Sequence, residues 1–347
     1  MESGVFYSTY KADMGLRRKP LQKIRLAIFV GFLLVFPFMA SPYWLNLANQ
    51  IAIATISAIG LNILVGYTGQ ISLGQGAFMA IGAYSTALLT ARLGLPFFIS
   101  IPIACLITAG VGLIFGLPSL RLKGLYLAMA TLAAQVIVEW LITHWTGLTG
   151  GTEAVVIPAP TLFGLRLNTD FRFYWIAIAT AGLTALFAAN LFRSKVGRAF
   201  VAIRDQDIAA EVIGVDVFRY KLLAFATSSF IAGLAGAMLA NYRTIISWER
   251  FTIETSIFYL AVIIIGGLGT VNGAFFGAAF MTLLPALINN LGRGLQTAAP
   301  AIANLLPAVQ QGIYGLVIIL FLIVEPQGLA KLWRNIKDYF YVWPFSY

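Results

Sequence analysis

One stretch of the chain combines charge, small residues and helical spacing as no other does: Arg193 to Arg219, RSKVGRAFVAIRDQDIAAEVIGVDVFR. What it offers is contact chemistry rather than bond-making chemistry. Gly197 to Arg204 and Asp207 to Ile213 each read as a short amphipathic helix, with Phe200, Val201 and Ile203 on the first apolar stripe and Ile208, Val212 and Ile213 on the second. Asp205 or Asp207 can cap the second piece, and Gly214 can end it in a left-handed conformation. Packing on lipid is one use for such a hairpin. Ala209, Ala210 and Gly214 admit a close backbone, however, while Asp205, Asp207, Glu211 and Asp216 repel anionic lipid, so a protein partner is the favoured contact.

Bond-making chemistry is poorly supplied elsewhere. A single His144 and a single Cys105 cannot form a Ser/His/Asp or Cys/His set, a disulfide framework or a His/Cys metal centre, and no cofactor is expected. No G-x-x-x-x-G-K-[ST] occurs, so the chain has no P-loop to cradle nucleotide phosphates. Glu139 and Glu254 are the acids near membrane depth, and ion-coupled carriers use such groups for coupling. Glu139 lies near a helix end, where a carboxylate can reach the interface. An ion-coupled carrier is therefore a weaker reading, and a membrane-embedded enzyme weaker still.

The elements that position the stretch follow from composition. Of 347 residues 60% are hydrophobic and 10% charged, far from the globular balance, which excludes a soluble enzyme and a disordered chain. The expected fold is all-α, a polytopic membrane protein with about ten (8–10) transmembrane helices. Candidate spans are 24–40, 45–65, 72–91, 97–117, 125–143, 173–192, 220–240, 255–266, 274–291 and 309–324. The Gly-rich 72–91 and the short 255–266 are the weak members, and either can be re-entrant.

Short cytoplasmic loops should hold the Lys and Arg excess. With the amino terminus inside, 17 of the 23 basic residues fall on inner segments, which places both termini in the cytoplasm. The organisation expected is a cytoplasmic segment 1–23, a transmembrane domain 24–330 carrying an inner loop 193–219 and a periplasmic loop 144–172, and a cytoplasmic tail 331–347. The first apolar segment reads as an uncleaved helix. The net charge of +10 follows this topology and points to anionic lipid rather than nucleic acid. His144, Trp44, Tyr43, Trp145 and Trp175 read as interfacial residues.

Two glycine-rich breaks complete the candidate sites. GYTGQISLGQG contains Gly66, Gly69, Gln70, Ser72, Gly74, Gln75 and Gly76, with Ser72 and Gln75 spaced as a capping box. GGLGTVNGAFFGA contains Gly266, Gly267, Gly269, Asn272 and Gly273 and echoes the first in its G-x-x-G and G-A-F. Such breaks can serve as tight turns and helix-packing points, or line a passage, because irregular backbone at membrane depth is tolerated only against protein or water. The echo hints at a duplicated core.

With GRAFVAIRDQDIAAEVIGVDVFRYKLLAFATSSFIAGLAGAMLA, the two breaks, RLKGLYLAMATLA, TGLTGGTEAV and EPQGL in this order, the chain resembles the LivM-type permeases of ABC importers for branched-chain amino acids. The resemblance implies an inner-membrane subunit pairing with a LivH-type permease, two cytoplasmic ATPases and a periplasmic binding protein. It implies branched-chain or other hydrophobic amino acids as cargo, with urea, short amides or other neutral amino acids as the alternative. It also implies that A-A-E-x-x-G, here Ala209, Ala210, Glu211 and Gly214, lies in the loop that docks on the ATPase, with Arg198, Arg204, Asp205 and Asp207 beside it.

Overall fold

The computed structural model describes residues 20–119, 122, 124–162, 165–296, 302–325 and 327–342. Most of the expected amino-terminal segment 1–23, the bases Arg121 and Lys123, Pro326 of EPQGL and the end of the expected tail, 343–347, lie outside them.

The fold is all-α. Thirteen helices of six residues or more form among the described residues: α1 (Pro20–Met39), α2 (Pro42–Asn62), α3 (Gln75–Ala91), α4 (Phe97–Ser119), α5 (Leu125–His144), α6 (Asp170–Arg193), α7 (Lys195–Asp205), α8 (Asp207–Val212), α9 (Val217–Arg243), α10 (Ile253–Gly266), α11 (Val271–Gln296), α12 (Ile302–Val324) and α13 (Leu329–Val342). A wide π-turn, Ile63–Tyr67, extends α2. Among the described residues six helical segments are long and apolar enough to cross a membrane: Pro42–Tyr67, Phe97–Pro118, Leu125–His144, Asp170–Arg193, Val217–Arg243 and Val271–Asn290. Shorter apolar stretches lie at Ala27–Met39 and Gln311–Phe321.

The two weak spans form short helices. α3 has 17 residues and α10 has 14, or about 25 Å and about 21 Å of rise, against a hydrocarbon core of about 30 Å. Non-helical chain precedes each, Thr68–Gly74 before α3 and Thr244–Thr252 before α10 apart from one 3₁₀ turn, and neither helix is among the segments long enough to cross a membrane.

α9 is the central helix. It packs against α3, α4 and α2 through small residues, so that Gly82 meets Gly233 and Gly236 meets the Met79 carbonyl where α3 and α9 run parallel. Backbones without side chains between them approach closely enough for dispersion to replace the hydrophobic drive that lipid does not supply. By contrast α4 runs antiparallel to α9, with Gly112 against Ser229 and Gly116 against Phe225.

One end of the bundle carries small sheet elements. Val155–Val156 pairs antiparallel with Ile245–Ile246, and Thr161–Leu162 with Leu165–Arg166. The described residues of segment 144–172 thus form local structure, joined through Val155–Val156 to the chain that leaves α9. His144 is exposed there, its ring stacked on Trp140 at 4.6 Å.

Candidate functional site

The α7–α8 hairpin forms much as its periodicity predicts. Ser194 caps α7, its Oγ accepting from the backbone N–H groups of Val196 and Gly197. Phe200 and Ile203 are buried and seat α7 against the bundle. The second stripe does the opposite: Ile208, Val212 and Ile213 are exposed, Val212 by 82%. Neither aspartate caps α8. Gln206 stands at the cap position without a side-chain bond, because Asp205 pairs with Arg204 at 2.9 Å and Asp207 with the nearly buried Lys221 at 3.4 Å. Those ion pairs hold the hairpin to itself and to the base of α9.

Gly214 has φ of +90°. The Val215 N–H donates to the Ala210 carbonyl at 2.9 Å and the Gly214 N–H to that of Glu211 at 3.0 Å, the paired bonds of a Schellman end. That closure leaves Ile213 and Val212 pointing out beside Glu211, while Ala210 is buried. Arg198 is exposed and donates to the Arg193 carbonyl.

Arg204 joins the hairpin to the first glycine break. Its Nη1 donates to the Gly66 carbonyl at 3.2 Å, and its Cγ lies 3.0 Å from where a Cβ on Gly69 would stand. Gly69 has φ of +68°, so the turn both needs a glycine and lies under the arginine stem.

The two breaks also touch one another. Asn62, buried in α2, donates from Nδ2 to the Thr270 carbonyl at 2.8 Å and accepts at Oδ1 from the Gly269 N–H at 2.9 Å. A Cβ on Gly66 would collide with Asn62 Oδ1 and with the Gly269 nitrogen. Gly266 packs on Gly273 across the α10–α11 turn, whose Gly267 has φ of +119°, and the Gly273 N–H donates to Thr270 Oγ1. Asn272 is exposed and takes no part in the contact. Both breaks and the hairpin therefore lie on one face of the bundle. A cavity of about 250 Å³ opens there between Gln70, Leu127, Arg204 and Lys221.

Deeper in, the starts of α3 and α10 meet head to head. α3 runs away from the hairpin face and α10 runs toward it, yet the Gly76 N–H donates to Ser256 Oγ at 2.8 Å. Gln135, fully buried in α5, closes the junction: Oε1 accepts from the Ala77 N–H at 2.6 Å and from Ser256 Oγ at 3.0 Å, while Nε2 donates to the Phe251 carbonyl at 2.6 Å. Two helix N-termini at mid-depth carry uncovered N–H groups and positive partial charge, and these side chains meet that need from other helices. The capping box expected at Ser72 and Gln75 does not form. Gly74 is the cap residue, Ser72 Oγ only receives the Gly74 N–H at 3.3 Å, and Gln75 Nε2 is taken by Ser57, whose Oγ lies 2.8 Å away. The Leu73 N–H turns to Thr131 Oγ1 at 2.9 Å, and Gln70 stays buried, bonded to Thr68.

Sequence reasoning did not single out Ser57, Asn62, Thr131, Gln135 or Ser256. The signal was available: each is a polar residue inside an otherwise apolar helix, and Asn62 and Gln135 carry amides, which must be paired at that depth.

Six membrane-length apolar helices among the described residues, broken helices at the centre and an exposed hairpin on one face make this a helical bundle of the multi-pass membrane class. The family profile described as branched-chain amino acid transport system / permease component matches residues 43–322, and the chain belongs to that family. It is 34% identical to the high-affinity branched-chain amino acid transport system permease protein LivM of Escherichia coli (strain K12), and 33% identical to LivM of Salmonella typhimurium. Each alignment covers 90% of this chain and 76% of the relative. It is also 27% identical to the autoinducer 2 import system permease protein LsrC of Escherichia coli O9:H4, over 69% of this chain and 67% of that one. No solved structure matches the chain.

Proposed function

We propose that the chain is the permease subunit of an ATP-driven importer in a bacterial inner membrane, supplying half of a translocation pathway for branched-chain or other hydrophobic amino acids. A LivH-type permease supplies the other half, a periplasmic binding protein delivers cargo to the face bearing segment 144–172, and two ATPases dock on the hairpin face. Both termini and the loop 193–219 are then cytoplasmic, and all ten apolar segments take part in crossing the membrane, 72–91 and 255–266 as helices completed by extended chain.

The observation that carries this reading is the hairpin itself. A chain without a P-loop uses ATP only through mechanical contact, and α8 presents Ile208, Val212, Ile213 and Glu211 outward while Arg204 and Lys221 fasten its base to the first break and to α9. A push on α8 reaches Gly66 through one side chain and Gly269 through Asn62. Packing and turn roles account for Gly66, Gly266 and Gly273. The pathway is assigned beside the head-to-head junction of α3 and α10.

The test is uptake of labelled leucine into proteoliposomes holding this chain with the partner permease and both ATPases. Uptake should require internal ATP and the binding protein, and should persist with protonophore present. Uptake driven by an ion gradient without ATP, and abolished by Glu139→Gln, would establish the ion-coupled carrier instead. If the complex instead responds only to urea, amides or other neutral amino acids, the architecture stands and the cargo assignment falls.

A further inference from the structure

We infer that α13 is an in-plane surface helix seated on anionic phospholipid of the leaflet nearest the hairpin face. Its sequence, LAKLWRNIKDYFYV, segregates by helical spacing. Leu329, Leu332, Trp333, Ile336 and Tyr339 fall on one side, and Lys331, Arg334, Asn335 and Asp338 on the other, with Lys337 at the boundary. Leu332, Trp333, Ile336 and Tyr339 are all exposed, at 37, 58, 49 and 68%. Among the described residues Leu329 packs on the core and the Trp333 ring lies 5.9 Å from Phe276 of α11, while the rest of this apolar face stays largely exposed.

Position chooses the occupant. α13 follows the apolar helix α12 after a corner held by the Lys331–Glu325 pair at 3.1 Å. The corner residue, Gly328, has φ of +72° and lies against Gly267 and the Ile265 carbonyl. The helix therefore starts at the level of the second break, where the apolar spans end, and its uncovered face has the breadth and aromatic content of an interfacial helix rather than of a span. With Lys331 paired to Glu325, Arg334 and Lys337 stand against the single acid Asp338, and both can reach anionic headgroups while their stems follow the apolar face. An ATPase surface or a second copy of this chain would offer no reason for Trp333 and Tyr339 to stand on that face at membrane level.

The inference is tested by spin labels on the full chain in phosphatidylcholine vesicles containing phosphatidylglycerol, in a Cys105→Ala background. Ile336→Cys should collide with oxygen and be shielded from a water-soluble nickel chelate, while Asp338→Cys on the opposite face shows the reverse. Adding Arg334→Gln and Lys337→Gln should lower the oxygen-to-nickel ratio at position 336 by at least about threefold, because each base contributes about fivefold to residence at an anionic surface. Phosphatidylcholine alone should lower it similarly. Equal nickel access at both positions in the permease alone would overturn the inference. Shielding at 336 that appears only when ATPase subunits are added would assign the face to them, and shielding indifferent to lipid charge and to both base substitutions would remove the anionic-lipid assignment. A mobile label at both positions would mean an unfolded helix and would equally overturn it.

Discussion

Arg204 of the surface hairpin donates to the Gly66 carbonyl at the first helix break, 3.2 Å away and 138 residues earlier in the chain. The same side chain holds Asp205 and covers Gly69, so one arginine connects the exposed hairpin with the irregular backbone at the core's edge. Replacing it by glutamine should leave the hairpin's outer face intact and loosen its hold on the break. A hydrogen bond to a charged group contributes about 1.5 to 3 kcal/mol, and partial exposure puts this one near the lower end, so coupling of ATP hydrolysis to uptake should fall roughly tenfold. The check is the ratio of leucine imported to ATP hydrolysed, with ATPase recruitment measured alongside. Unchanged coupling would mean that Arg204 is only a surface tether.

Gly66 is where the breaks come closest. An added Cβ meets Asn62 Oδ1 and the Gly269 nitrogen, neither of which can retreat without losing a hydrogen bond. Gly66→Ala should therefore cost about 2 kcal/mol or more of stability, combining overpacking with a buried group left unpaired. Thermal unfolding in detergent measures it. Gly110→Ala, which meets nothing within reach, is the control and should be near neutral.

Gln135 serves three partners at once. Gln135→Leu leaves the Ala77 N–H and the Phe251 carbonyl without it in a buried site, and each stranded group costs about 1 to 3 kcal/mol. Gln135→Glu keeps an acceptor at the start of α3, where a negative charge suits the helix dipole, but loses the donor to Phe251 and buries a carboxylate. Both variants should unfold at lower temperature than the parent, and both should lower transport beyond what lower expression accounts for. A transport rate per molecule equal to the parent's in both would place the α3–α10 junction outside the working pathway.

The all-α class and the order of the helices were legible because apolar runs, glycine breaks and the amphipathic period of 195–213 are local features, whereas of the ten expected spans six are long and apolar enough to cross a membrane among the described residues. The left-handed end at Gly214 was legible for the same reason. The head-to-head junction was not. Gln135 reaches Ala77 across 58 residues and Phe251 across 116, and Asn62 reaches Thr270 across 208, distances at which no spacing rule operates. The capping box misled because Ser57, 18 residues back on the adjoining helix, takes the Gln75 amide that the local motif would have used. Asp205 and Asp207 misled similarly, each drawn from a cap into an ion pair. The resemblance between the two glycine breaks is matched by contact between them through Asn62, a relation the motifs alone could not disclose.

Orientation is open to direct measurement. Thr152 is exposed on the end of the bundle that carries the small strands, and Val212 is exposed on the opposite face. In a Cys105→Ala background, Thr152→Cys should react with a membrane-impermeant thiol reagent applied to the periplasmic side, and Val212→Cys should react only after the membrane is opened. The reverse pattern would invert the topology and put the hairpin on the wrong side for any ATPase.

The central claim is that the hairpin 193–219 couples the permease to its ATPases, and the α8 end is where it can be tested most directly. Glu211→Arg reverses the one charge among its outward apolar residues, and Gly214→Val forces a β-branched residue into a backbone with φ of +90°, which costs on the order of 1 kcal/mol and disturbs the Schellman end. The measurement is pull-down of the ATPase subunits by the double variant, paired with binding-protein-stimulated ATP hydrolysis in the reconstituted complex. The account predicts that both fall together while the binding protein keeps its affinity for ligand. Wild-type recruitment and stimulation in the double variant would contradict it.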